Sequence, residues 1–149
     1  MASIITPVPP LIDRSVRVVR TAVQSIPNAV NTAISWQAED FDTEDMWNIG
    51  SPTRITIATL KKYKLLAVAN FAANITSFRR AFFQLNGATV MGITTVDAVG
   101  AAGVGTTFAV LDERLLNPGD FIELIVRQDS GVALDFNFGS AFLAAQALN

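Results

Sequence analysis

Three carboxylates stand among apolar residues in the stretch LNPGDFIELIVRQDSG, residues 116–131: Asp120, Glu123 and Asp129. Two carboxyl groups converging across a cleft are what a glycoside hydrolase needs, one as acid and one as nucleophile or base. A second acidic run, residues 39–45, holds Glu39, Asp40, Asp42, Glu44 and Asp45, oxygen ligands of the kind a hard cation such as calcium takes. Their spacing is not that of an EF-hand, and a solvated loop accounts for them. The segment GAAGVGTT, residues 100–107, has the glycine spacing of a phosphate-cradling loop, but Thr106 stands where the lysine that meets the phosphates is required. It reads as a glycine-rich loop. Arg79 and Arg80, flanked by Phe78 and Phe82, offer cations and rings for stacking on a base or sugar. Two arginines on one strand are more often surface charge that guards an edge. Asn74-Ile75-Thr76 is a formal glycosylation sequon, relevant only to a secreted eukaryotic chain.

Composition narrows this chemistry. The 149 residues include no cysteine and no histidine. Disulfides, thiolate nucleophiles and thiolate metal sites are excluded, and so are the usual general base near neutral pH and the commonest transition-metal ligand. A hydrolase would have to work with carboxylates or lysines alone, and no cofactor is expected. Eleven Lys plus Arg against thirteen Asp plus Glu gives a net charge of -2, with neither sign gathered on a long run. Binding to nucleic acid by counterion release is therefore not expected. The chain is 50% hydrophobic and 16% charged, with a mean hydropathy of +0.38, which points to surface buried against copies of itself. The longest apolar run, LLAVANFAA at 65–73, is about half the length of a membrane-spanning helix and contains Asn70. No membrane partner is expected. The opening MASIITPVPP lacks a basic region and carries prolines where a signal peptide needs a helical core.

The elements that must position these groups read as β-strands. Pro7, Pro9 and Pro10 make residues 1–13 an extended arm, because proline fixes φ and removes donors. Its apolar side chains Ile4, Ile5, Val8, Leu11 and Ile12 suit docking, and residues 14–149 form one domain. Short β-rich runs at 16–23, 31–37 and 54–58 are each bounded by turn formers, the spacing of a sandwich or barrel. The run 63–73 is apolar on both strand faces. Tyr63, Leu65, Ala67, Ala69 and Phe71 share one, and Leu66, Val68 and Ala72 the other. Such a strand is covered on both sides, which assigns the second cover to another subunit. Asn86-Gly87 between FRRAFFQL and ATVM predicts a hairpin with a type I′ turn, with Ala81, Phe83 and Leu85 toward the core. Asn117-Pro118-Gly119-Asp120 is turn chemistry. From Phe121 the alternation sends Ile122, Leu124 and Val126 inward and Phe121, Glu123, Ile125 and Arg127 outward. Asp120 and Asp129 then mark strand ends and Glu123 a wet face, so the three acids read as structural.

Taken in order, Phe41-Asp42 with Pro52-Thr-Arg-Ile-Thr56, the run 63–71, FQLNG at 83–87, LNPGDFIEL at 116–124 and DSG at 129–131 resemble the globular head of the complement/tumour-necrosis-factor jelly-roll superfamily. The chain is similar in particular to the cysteine-free bacterial and phage members. The likeness covers residue 16 to the C-terminus, and its most specific piece is the PGD-aromatic-x-E turn and strand. Lys62 stands where the family usually has a glycine before the aromatic of the central strand. The resemblance implies an all-β, antiparallel two-sheet jelly-roll sandwich of ten strands that assembles as a compact homotrimer about a threefold axis. It implies that AFLAAQAL at 141–148, a short helix on propensity alone, is the last strand of the inner sheet. The surplus apolar faces then put Tyr63, Leu65, Phe71, Phe121 and Ile125 at the trimer interface. Related heads sometimes bind calcium near the trimer apex.

The expectation that follows is a non-enzymatic structural protein of a virus particle. It would be a trimeric knob that decorates or cements a phage capsid, docked through its arm on a coat or tail protein. Such a chain is made in the host cytoplasm and resides on the virion surface. The alternative is a trimeric head on a phage tail or bacterial surface that binds a glycan or protein receptor through the loops at 39–45 and 93–105. A carboxylate hydrolase is the third reading, and it requires two of the acid-bearing turns to meet.

Overall fold

Alternation along each strand decides the architecture: the more apolar row turns inward and the strands pair to bury it. The computed structural model describes residues 3–149. The strands are β1 (Ser15–Val19), β2 (Gln24–Ile26), β3 (Thr32–Ala33), β4 (Ala38–Asp42), β5 (Ile55–Thr56) and β6 (Lys61–Phe71). They continue with β7 (Phe78–Leu85), β8 (Thr89–Asp97), β9 (Thr106–Leu116), β10 (Phe121–Gln128), β11 (Leu134–Phe136) and β12 (Phe142–Ala147). All pairings are antiparallel. In the seven-stranded sheet β4, β1, β12, β6 and β9 lie side by side, with β11 following β12 along β6 and β2 outside β11. In the five-stranded sheet β8, β7 and β10 are neighbours, and the short β3 and β5 both pair with β10. Among the described residues no helix is long and apolar enough to cross a membrane.

The expected all-β two-sheet sandwich is present. Within 141–148, residues Phe142–Ala147 form β12 in mid-sheet, between β1 and β6, where tertiary pairing overrides the helix propensity of its alanines. The hairpin turn is as expected: Asn86 and Gly87 have φ of 53° and 71°, both positive as a type I′ turn demands. Ala81, Phe83, Ile122, Leu124 and Val126 are fully buried between the sheets. The resemblance implied ten strands, and twelve form among the described residues. Lys62, in place of the family's glycine, lies within β6 opposite Leu115 and pairs with Glu113 at 3.2 Å.

The flank of the sandwich closes where edge strands of the two sheets touch. Gly92 is the extra residue of a β-bulge, since Met91 pairs with Phe83 and Ile93 with Phe82. Its φ is +45°, and a Cβ there would lie 2.5 Å from the Leu111 carbonyl oxygen. Gly92→Ala is therefore expected to cost about 2 kcal/mol through strain and overpacking, a fall of roughly 4–8 °C in Tm. An unchanged melting temperature would show that β8 and β9 do not meet this closely.

At the base end, Asp120 ties two turns together. Its Oδ1 accepts from Asn86 Nδ2 at 2.9 Å and its Oδ2 from the Asn117 backbone N–H at 2.8 Å. The Asn86 side-chain bond, helped by the Asn117 backbone, holds the carboxyl below the usual aspartate pKa. A depressed folded-state pKa gives stability that is present above the unfolded value of about 4 and lost as pH falls through the folded one. Asp120→Asn should lower Tm at pH 7 and flatten the acid limb of a Tm-against-pH curve below roughly pH 4. A variant whose acid limb keeps the parent slope would assign that slope to other carboxylates.

Candidate functional site

Of the acids in the two stretches, Asp120, Glu123, Asp129, Asp40, Asp42 and Glu44 are engaged in structure, while Glu39 and Asp45 are exposed to solvent. Glu123 accepts from the Thr53 hydroxyl at 2.5 Å, and Asp129 pairs with Arg127 at 3.2 Å. In the acidic run, Asp42 accepts backbone N–H bonds from Met46 at 2.9 Å and Trp47 at 2.8 Å, closing the turn after β4. Asp40 pairs with Arg17 at 3.0 Å and Glu44 with Arg14 at 2.8 Å. The first residues of the run, expected as loop, form edge strand β4, whose charges discourage pairing with another chain. Among the described residues no group of three or more acids is placed to hold a metal ion. Of the glycine-rich loop expected at 100–107, residues 100–105 are loop, whereas Thr106 and Thr107 begin β9 and no helix follows.

The arginine pair divides. Arg80 lies over the Phe78 ring at 5.1 Å and donates to the Thr95 hydroxyl, as a surface residue does. Arg79 is the exception to the surface reading, being fully buried. Its guanidinium donates to the carbonyls of Asn74, Thr76 and Phe78 at 2.8, 3.0 and 3.0 Å, and burial pulls its pKa below the usual arginine value. Alternation predicts this inward position, because Arg79 is two residues before Ala81 in the core row. The expectation of a surface charge came from residue type.

The interface residues also need correction. Tyr63, Leu65 and Phe71 are wholly buried within the subunit, so no second copy can reach them. The Tyr63 hydroxyl donates to the Thr59 carbonyl at 2.9 Å, and Phe71 meets Phe136 edge to face at 5.6 Å. Phe121 and Ile125 do point away from the core, but from the five-stranded sheet. Phe121 is covered by the Arg54 guanidinium at 4.0 Å, and Ile125 is 6% exposed. The five residues thus divide between the core and the back of the other sheet, and form no common surface.

The face left uncovered is the outer side of the seven-stranded sheet. Cross-strand register lays two apolar rows over it. One runs Phe41, Arg17, Ala144, Leu66, Leu111, and the next runs Ala38, Val19, Phe142, Val68, Ala109. Each row crosses all five central strands, and none of the ten residues is fully buried. Arg17 does not break the patch: its guanidinium lies 4.0 Å from the centre of the Phe142 ring and is neutralised by Asp40. Lys64, Gln146 and Glu113 border the rows on one side, and Asn70 with Ser140 on the other. Depressions of about 300 and 140 Å³ share Ala144 and Gln146 on this face. An apolar centre within a polar rim is how a protein–protein interface is built. Leu66 and Val68 were legible as the second apolar face of β6; Phe41, Arg17 and Phe142 required the register of β1, β4 and β12.

No protein-family model matches the sequence, and no curated protein does. Solved structures do. Crystal structures of murine APRIL superpose with TM-scores of 0.70 at pH 8.0 and 0.67 at pH 5.0, at 13% and 12% identity, covering 92% of this chain and 100% of that one. The globular domain of zebrafish complement 1qA protein superposes with a TM-score of 0.65 at 11% identity, covering 91% of this chain and 98% of that one. The chain has the tumour-necrosis-factor/complement jelly-roll fold. At this identity the likeness is one of fold, and it spans the whole of the head domains compared. In this jelly-roll head the arm leaves the base end: β1 begins at Ser15 opposite Gln146, beside the 86–87 and 117–120 turns.

Proposed function

We propose that this protein is a non-enzymatic structural head that forms a homotrimer through the outer face of its seven-stranded sheet and is fixed by its N-terminal arm to a larger particle, a phage virion surface. The observation that carries the reading is the pair of apolar rows through Leu66 and Phe142, open to solvent in the single subunit and framed by polar residues. A second copy supplies the cover that the apolar composition calls for. The arm supports the second half. Ile4, Ile5, Val8 and Leu11 are each at least 80% exposed and Ile12 is 57% exposed, so none is spent on the head's own core. Met1 and Ala2 of that arm lie outside the described residues. The resemblance to phage members gives the setting, and a coat or tail protein would be the anchor. Several arms per trimer then act together, each adding to the others through effective concentration.

Two measurements test this. The native mass of the purified chain should be that of three copies. A chain lacking residues 1–12 should keep that mass yet fail to co-sediment with particles. A monomer would overturn the trimer, and absence of the protein from purified particles would overturn the virion role.

A further inference from the structure

The turn that closes the β7–β8 hairpin holds a reactive pair. The backbone nitrogen that follows an asparagine is placed to close a five-membered ring on that residue's Cγ, and a glycine nitrogen does so most freely because no Cβ stands beside it. Asn86 is the one asparagine in the sequence that precedes a glycine. Two features leave the Gly87 nitrogen open. Among the described residues its N–H has no acceptor, although the N–H groups of Asn86 and Ala88 on either side donate to the Phe121 and Leu85 carbonyls at 2.9 and 3.0 Å. A Cβ built on Gly87 would meet nothing nearer than Phe121 Cζ at 3.9 Å. Both residues of the pair are exposed to water.

The restraint falls on the electrophile. Both ends of the Asn86 amide are held by the segment that leads into β10: Oδ1 accepts from the Phe121 N–H at 2.9 Å, and Nδ2 donates to Asp120 Oδ1 at 2.9 Å. Asp120 is itself fixed, its Oδ2 accepting from the Asn117 N–H at 2.8 Å. Because its acceptor is a carboxylate, the Asp120 bond is the stronger of the two that hold the amide. Swinging Cγ onto the Gly87 nitrogen breaks these bonds, so the turn that supplies the nucleophile also withholds its target.

We propose that Asn86 is a site of spontaneous deamidation that the Asp120 tie keeps latent. When the tie opens, the Gly87 nitrogen gives its proton to solvent and forms a bond to Asn86 Cγ. The Cγ–Nδ2 bond breaks, and Nδ2 leaves as ammonia with a proton from solvent. Water then opens the succinimide ring at either carbonyl, yielding aspartate or isoaspartate. Water is the only co-reactant, and nothing is oxidised or reduced. Neither product suits the turn that made it. Aspartate at 86 sets a second carboxylate where Nδ2 met Asp120 at 2.9 Å, and two carboxylates so close resist being ionised together. Isoaspartate adds a methylene to the main chain of a turn that depends on positive φ at residues 86 and 87. Either product loosens the base end beside the start of β1, from which the arm leaves. The inference goes beyond the structural-head reading and stands whether or not the head is a trimer.

The test incubates the whole protein at mildly alkaline pH and follows the peptide that contains residue 86 by mass spectrometry. Exchange of NH for O is read as a mass gain, and the aspartate and isoaspartate forms separate by chromatography. Losing a charge-assisted hydrogen bond frees the side chain more often, so Asp120→Ala is expected to convert residue 86 about tenfold faster than the parent. Asp120→Asn keeps one acceptor oxygen and should fall between them. The parent unfolded in urea should convert faster than any folded chain. Arg79→Met loosens the other end of β7 and controls for general instability; it should convert at the parent rate. Asp120 lies outside the core, so both of its variants should keep the parent's circular dichroism, and Asp120→Asn carries the test if Asp120→Ala does not. Equal rates in the parent and the folded Asp120 variants would overturn the tie as a lock. Acceleration by Arg79→Met equal to that of Asp120→Ala would assign the reaction to global unfolding and overturn it as well. An Asn86 that stays intact in urea would show that it is no modification site.

Discussion

A Leu66→Glu/Val68→Glu variant is expected to run as a 16.0 kDa monomer where the parent runs at three times that mass, 48.0 kDa. Both side chains lie on the outer row of β6 and are already partly open to solvent, so the subunit core does not lose them. In a trimer the same positions are covered, and each glutamate would be taken out of water at an effective cost of several kcal/mol. Six such charges per trimer, without six cations to meet them, exceed what an interface of ordinary size supplies. Two controls decide the face. Tyr63→Glu places a charge inside the sandwich and should unfold the subunit, seen as loss of its β-sheet circular dichroism. Ile125→Glu lies on the back of the five-stranded sheet, where Ile125 is only 6% exposed, so its β-sheet circular dichroism is compared with the parent first; a folded variant should keep the trimer's mass if assembly runs as proposed. If the Leu66/Val68 variant remained at 48.0 kDa while Ile125→Glu dissociated, assembly would run through the other sheet.

The difference between these positions shows what sequence can and cannot convey about such a chain. Period-two alternation named the core rows of β7 and β10 correctly, because each has one clearly apolar face. In β6 both faces are apolar, and alternation cannot say which is covered by the second sheet and which is left bare. That is settled by partners far along the chain: Phe136 against Phe71 on the inside, and Phe142 beside Val68 on the outside. Turn chemistry was local and therefore legible, as at Asn86-Gly87. The acidic run was legible by charge but not by role, since Asp42 acts through backbone N–H groups of residues four and five positions on. The strand at 141–148 was reached by resemblance, because its alanines prefer a helix until two neighbouring strands take their backbone groups.

The two ends of the sandwich are built from different materials. The base carries the arm, the Arg14–Glu44 and Arg17–Asp40 pairs and the Asn86–Asp120 tie; the far end carries aliphatic tips on loops tied to buried polar side chains. This polarity follows from the strand order, which places the Gly-, Ala- and Val-rich connection 98–105 beside 72–77, through the Ala98 N–H to Ser77 carbonyl bond. Close packing there is literal: a Cβ on Gly105 would lie 2.6 Å from the Phe71 carbonyl oxygen.

Arg79→Met is expected to destabilise the fold by about 3 kcal/mol, a fall of roughly 6–12 °C in Tm. Methionine matches the length of the arginine stem and removes the burial cost of a charge, so the sign rests on the acceptors left behind. Three carbonyls, of Asn74, Thr76 and Phe78, lose their donor, at about 1 kcal/mol or more each. Desolvation of the cation works the other way, as its lowered pKa shows, and the Nε that is buried without a hydrogen-bond partner adds to it. Replacing a buried ion pair with apolar groups is often neutral because both charges leave together. Here the acceptors are backbone and cannot leave, so the loss dominates. Arg79→Lys keeps the charge but not the planar fork, and should fall between the parent and Arg79→Met. The loss should be local before it is global, with amide exchange at residues 72–77 accelerating in Arg79→Met under conditions where β6 and β7 remain protected. Equal stability of Arg79→Met and parent would mean that water serves the three carbonyls as well as the guanidinium does, and that the loop bearing Ile75 is held by its neighbours alone.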